Sequence, residues 1–150
     1  MPIRLGQSER AMGVARLAVL VSGSGTNLAA LLAAIDEDDA FGAEVVVVLS
    51  DRPDVRALER AQKAGIDSTV VDWTDFATRD EFTEAVCEAL EPHHIDLVVL
   101  AGFMRILAPV AIERYPNRIV NTHPALLPAF PGGRALEDAL EHGVKVTGVT

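Results

Sequence analysis

Asn121 and His123 stand two residues apart in "NTHPALLPAFPG" (121–132), a mostly apolar stretch broken by Pro124, Pro128 and Pro131. Pro124 steers His123 out of the helical region into extended chain. Side chains alternate along extended chain, so Asn121 and His123 point the same way, with Thr122 opposite. An amide can donate to an oxygen that gains negative charge. An imidazole, which titrates near neutral pH, can donate or shuttle a proton. Pro128 and Pro131 stiffen the chain behind the pair, Gly132 and Gly133 release it, and the Leu127–Pro128 bond is expected to be cis. The tripeptide also fits an Asn-capped turn followed by a satisfied core histidine. Standing alone it favours that plainer reading, because such short patterns arise freely.

Two further segments have residue types that could serve a ligand. In "SGSGTN" (22–27) the glycines let backbone N–H groups approach an anion at the positive end of a following helix. The third glycine of a dinucleotide fingerprint would fall at 28, which is Leu28, and there is no G-x-x-x-x-G-K-[ST]. A single phosphate held by backbone amides with Thr26 and Asn27 is the better ligand. A tight turn with Thr26 or Asn27 as helix cap fits the motif equally well. "AGFMRILAP" (101–109) sets Phe, Met, Ile and Leu where polar loop residues would be expected. It could line an apolar slot for a flat heterocycle. A buried short helix is the simpler account of that segment alone.

The elements around these segments alternate. Strand-like runs at 16–21, 44–50, 68–71, 96–102 and 118–121 are separated by helix-period segments. Leu28, Leu31, Leu32 and Ile35 make the stripe of the first helix. Asp51 and Pro53 suit the start of the second and Gly65 its stop. "TRDE" (78–81) reads as a capping box ahead of Phe82, Val86 and Leu90, and Pro92 ends that helix. A helix is expected across "RALEDALEHG", and "VKVTGVT" reads as the start of another strand, so the domain looks incomplete at its C-terminus. Strands without polar alternation joined by helices predict an α/β fold, an open, mostly parallel sheet with helices on both faces. Residues 1–15 read as a disordered leader and 16–150 as one domain. In such a sheet ligands bind beyond the carboxyl ends of the strands, and all three unusual segments follow strands on that rim.

Composition narrows the partners. Across 150 residues, 22 acidic side chains against 13 basic ones give a formal charge of -9, which disfavours nucleic acid and anionic membranes. No apolar run is long enough to span a membrane, and the N-terminus lacks a secretory pattern. The single cysteine, Cys87, excludes an intrachain disulfide and reads as a half-buried structural thiol, and no metal site is expected. His93 and His94 are adjacent, so their side chains diverge, and a turn explains them better than metal ligation. The expected compartment is the cytoplasm. Homodimerisation is left open.

Taken together, "VSGSGTNLAALL", "SDRP…LERAQKAGI", "DLVVLAGFMRIL" and "NTHPALLPAFPG" resemble the phosphoribosylglycinamide formyltransferase family, in order from about Arg16 onward. The N-x-H-P…L-L-P…G signature is common to the wider 10-formyltetrahydrofolate transferase superfamily. "SGSGTN" with "AGFMRIL" narrows it to the glycinamide ribonucleotide branch. The resemblance implies a Rossmann-like formyltransferase fold that moves a formyl group from 10-formyltetrahydrofolate to the amine of 5-phosphoribosylglycinamide in purine synthesis. It implies that Gly25, Thr26 and Asn27 hold the substrate phosphate. Met104, Arg105, Ile106 and Leu107 would line the pterin slot, with Arg79 near the folate. Asn121 and His123 match the catalytic pair, Asn121 also contacting the folate.

The chain departs from the family pattern in two places. The family's third catalytic residue, an aspartate in a loop after the strand that "VKVTGVT" begins, has no matching position, and Glu137 and Asp138 do not fit the motif. Arg134, after "FPGG", is not explained by the family pattern. Two rivals stand beside the transferase: a hydrolase of the same superfamily that passes the formyl group to water, and, through the missing aspartate, a binding fragment without chemistry.

Overall fold

A computed structural model describes residues 13–150. The leader reading lies outside the described residues as far as position 12, and the first strand already begins at Ala15. The elements run β1 (Ala15–Val21), α1 (Thr26–Glu37), β2 (Ala43–Ser50), α2 (Arg56–Lys63), β3 (Asp67–Val70), α3 (Arg79–Leu90), β4 (Leu97–Leu100), α4 (Pro109–Arg114), β5 (Ile119–Asn121) and α5 (Ala135–His142). Short 3₁₀ turns occupy Trp73–Asp75 and Glu91–His93. The sheet order is β3-β2-β1-β4-β5, and each neighbouring pair among the described strands is parallel. Chain direction across the sheet therefore reverses between β1 and β4, the place where such folds open a crevice at the carboxyl ends of the strands.

Burial on both faces explains why the strands read as unbroken apolar runs. Ala18 and Leu20 of β1, with Val47 and Leu49 of β2, face Phe82, Val86 and Leu90 of α3. Val19 and Val21, with Val48, turn the other way onto Leu28 of α1 and Ala57 and Ala61 of α2. Each fully buried Val or Leu contributes roughly 1.5–3 kcal/mol relative to exposure. The expected capping box is present at α3: Glu81 N–H donates to the Thr78 hydroxyl, and Glu81 Oε2 accepts from Thr78 N–H, both at 3.2 Å. The Thr83 hydroxyl donates to the Arg79 carbonyl and accepts from Ala108 N–H at 3.0 Å, which ties α3 to the start of α4.

Three local expectations need correction. Asp51 does not cap α2. That helix starts after Val55, which is extended and makes no side-chain cap, because the Asp51 carboxylate is drawn into a long-range pair. "VKVTGVT" forms no regular strand, yet Thr150 and His123 exchange both backbone hydrogen bonds at 2.7 and 2.9 Å, the signature of an antiparallel pair. The segment 101–107 is not a helix. The helix instead occupies Pro109–Arg114, which was not expected. The Leu127–Pro128 bond is cis as expected.

Cys87 lies in the core on α3. Burial, the leading cause, pushes its thiol pKa up, which keeps it in the unreactive neutral form. A colorimetric thiol reagent at neutral pH is expected to label it slowly in the folded protein and promptly after addition of denaturant. Rapid labelling of the folded chain would show that this face of α3 opens.

Candidate active site

Parallel pairing of β1, β4 and β5 sends "SGSGTN", "AGFMRIL" and "THP" out of the same rim, around the point where the sheet reverses. α3 also starts on that rim, after the carboxyl end of β3, with Arg79 as its exposed first residue.

The first loop is shaped by packing as much as by any ligand. Gly25 precedes α1 in the left-handed conformation, φ 68°, so neither Thr26 nor Asn27 is the cap. A Cβ on Gly25 would meet Ala57 Cβ at 2.7 Å and Ala57 Cα at 2.9 Å. Ala57 N–H donates to the Gly23 carbonyl, and Arg60 Nε donates to the Ser24 carbonyl at 2.9 Å, so α2 braces the loop from below. The N–H groups of Thr26, Asn27 and Leu28 precede the first helical bond, from Ala29 N–H to the Gly25 carbonyl, and form the positive end of α1. Thr26 and Asn27 are exposed at this end.

The second loop alternates in exposure. Met104 and Ile106 are 66% and 75% exposed. Between them the Arg105 side chain turns inward, its Nε donating to Asp51 Oδ2 at 2.7 Å and its guanidinium lying 4.0 Å over the Trp73 ring. Leu107 packs onto the core cluster that contains Phe82 and Phe103. Met104 N–H donates to the Ser22 hydroxyl at 2.8 Å, joining this loop to the first.

The third loop carries the amide and the imidazole. Asn121 is the last residue of β5, paired in register with Leu100, and is exposed. The Asn27 side-chain amide reaches the Thr122 hydroxyl at 3.5 Å, so the N-terminus of α1 touches the loop after β5. His123 is half-buried, with Nε2 at 2.8 Å from the Phe130 carbonyl. A carbonyl only accepts, so Nε2 carries a proton and Nδ1 is left for other work.

A family profile for formyl transferases matches residues 15–150. The chain belongs to the formyl transferase family. Within that family it is 49% identical over 136 residues to phosphoribosylglycinamide formyltransferase of Mycobacterium tuberculosis, covering 91% of this chain and 62% of that one. It is 44% identical over 135 residues to the trifunctional purine biosynthetic protein adenosine-3 of Gallus gallus, covering 90% of this chain and 13% of that protein. The crystal structure of glycinamide ribonucleotide transformylase 1 from Symbiobacterium toebii superposes with a TM-score of 0.88 at 47% identity, over 93% of this chain and 65% of the other. The chain thus spans less than two thirds of the length of these formyl transferase relatives.

Ser22, Asp51, Arg60 and Trp73 hold the rim together, and the sequence reading did not single them out for it. Asp51 offered one signal, its place directly after the carboxyl end of β2. Trp73 offered another, as the only tryptophan of the chain. Arg134, left unexplained by motif, precedes α5 and meets Glu141 at 3.3 Å, with both side chains exposed, so the pair adds little stability.

Proposed function

We propose that the protein transfers the formyl group of 10-formyltetrahydrofolate to the amine of 5-phosphoribosylglycinamide, a step of purine synthesis. The observation that carries this reading is the meeting, at one reversal of a parallel sheet, of an anion-ready helix end, an exposed apolar ledge and an Asn–x–His. Gly25, Thr26 and Asn27 hold the phosphate through backbone N–H groups and short polar side chains. Exposed Met104 and Ile106, on a segment fixed by Arg105 and Leu107, suit a flat pterin, and Arg79 at the start of α3 lies on the same rim. The folate supplies a formyl carbon made electrophilic on its N10. Cytoplasmic location and the absence of nucleic acid as a partner belong to the same proposal.

In this mechanism Asn121 donates its amide N–H to the formyl oxygen as the substrate amine adds to the formyl carbon. His123 keeps Nε2–H on the Phe130 carbonyl, and the protonated ring presents Nδ1–H to the developing oxyanion. The amine nitrogen gains the bond to the formyl carbon, the bond from that carbon to N10 breaks, and the proton lost by the amine ends on N10. Such fixed donors act where charge develops and so favour the transition state.

The reading is tested by mixing the protein with 10-formyltetrahydrofolate, with and without 5-phosphoribosylglycinamide, and following the folate absorbance. Tetrahydrofolate released only when the ribonucleotide is present is the expected result. Release without it would replace the transferase by a hydrolase. Binding of both ligands with no turnover would leave a binding module.

A further inference from the structure

Asp51 is fully buried at the rim, and its atoms bond to the carboxyl end of β1 and to the segments that follow β3 and β4. It follows β2 directly, its N–H donates to the Val21 carbonyl of β1 at 3.3 Å, and its carbonyl accepts from Trp73 N–H after β3 at 3.2 Å. Its Oδ2 takes the Nε–H of Arg105 beyond β4. Oδ1 has no hydrogen-bond partner; Arg52 Nε, at 3.7 Å, is within ion-pair reach but too far for a hydrogen bond. A buried carboxylate with one oxygen unsatisfied is costly, and a hydrophobic side chain would often fill the same space at less cost. The consequence of keeping it is geometric. Arg105, with a side chain only 24% exposed, is pulled inward, and its neighbours Met104 and Ile106 are thereby turned outward.

We propose that Asp51 is a positioning residue for the formyl donor: by holding Arg105 against Trp73 it fixes the 104–107 backbone so that Met104 and Ile106 present one apolar ledge to the pterin. This rests on the functional reading above and deepens it. Arg105 then serves the site as an inward strut, its guanidinium engaged with Asp51 and Trp73, whereas the phosphate loop joins the 104–107 segment through the Ser22–Met104 hydrogen bond but is braced chiefly by α2, through Ala57 and Arg60. Loss of the strut therefore weakens the folate and spares the ribonucleotide.

The test compares wild type with Asp51→Ala, Asp51→Asn, Arg105→Met and the Asp51→Ala/Arg105→Met double variant. Calorimetry reads the Kd of a stable reduced-folate analogue and, separately, of 5-phosphoribosylglycinamide. The emission of Trp73, the single tryptophan, reads the strut without ligand. Asp51→Ala is expected to weaken the folate analogue by about tenfold or more and to change ribonucleotide Kd by less than about twofold. Its Trp73 emission should shift to the red as the guanidinium leaves the ring. Asp51→Asn, which retains an acceptor for Arg105, should recover folate binding to within about threefold. The double variant should bind folate no more weakly than Arg105→Met, since both residues act through one strut. Should Asp51→Ala fail to fold, Arg105→Met and Asp51→Asn carry the comparison. Equal loss of both ligands, unchanged folate binding in Asp51→Ala or Arg105→Met, or additive effects in the double variant would overturn the inference. Wild type that binds the ribonucleotide and ignores the folate would defeat the functional reading itself and the inference with it.

Discussion

For the proposed formyl transfer, Asn121→Ala is expected to lower kcat by about 100- to 1,000-fold, the usual cost of removing one oxyanion donor, and to leave both KM values nearly unchanged. The size follows from where charge appears. The formyl oxygen is neutral in the bound folate and becomes anionic only as the amine adds, so the amide contributes most in the transition state. Asn121 ends β5, is exposed, and comes last in the register with β4. Its truncation therefore leaves the ladder and the core intact, and stability should stay within about 0.5 kcal/mol of wild type. Steady-state kinetics with each substrate varied, beside a thermal melt, check both halves. A variant that retains wild-type kcat would remove the amide from the chemistry. A raised KM for the ribonucleotide at constant kcat would reassign Asn121 to substrate binding.

The contrast between what could and could not be read from the sequence follows how far apart the interacting residues lie. The five strand runs between 16 and 121 and the "TRDE" capping box at α3 involve residues a few positions apart, and they fall within two residues of where the sequence places them, whereas "VKVTGVT" does not become a strand. The rim follows too, because parallel strands put every following loop on one edge. Asp51 was misread for the opposite reason. An aspartate before a helix looks like a local cap, whereas its partner Arg105 is 54 positions away and invisible to any window. The helix at Pro109–Arg114 is six residues long, too short to show a period. Arg105 shows the limit most plainly. The family resemblance places the residue along the pterin slot, and only the fold shows that its side chain turns inward onto Asp51 and Trp73.

Gly25→Ala carries the second large effect, and here stability and binding fall together. Two costs combine. Gly25 holds φ 68°, where an L side chain loses roughly 1–2 kcal/mol. The new methyl would also lie 2.7 Å from Ala57 Cβ and 2.9 Å from Ala57 Cα, and the second of these is backbone that cannot swing aside. Forcing an extra methyl into such packing costs about 1–3 kcal/mol. The sum, about 2–5 kcal/mol, should lower Tm by roughly 5–15 °C for a domain of this size. Relief comes only by parting α1 from α2, and that motion also breaks the Ala57 N–H bond to Gly23 and the Arg60 bond to Ser24 that hold the loop. Ribonucleotide binding should therefore fall at least as far as stability does, while folate binding to the folded fraction changes little. Gly23→Ala is the control. A Cβ there meets nothing within 4 Å, so its melt should match wild type. Ala57→Gly in the Gly25→Ala background removes the clash between methyls but leaves the backbone of α2 just as close and the φ cost in place. Ala57→Gly has its own cost of about 1 kcal/mol in α2, so Gly25→Ala should lower Tm less in the Ala57→Gly background than in wild type, though still measurably. If Gly25→Ala melts with wild type, α2 does not brace the loop, and the glycine is there for the ligand alone.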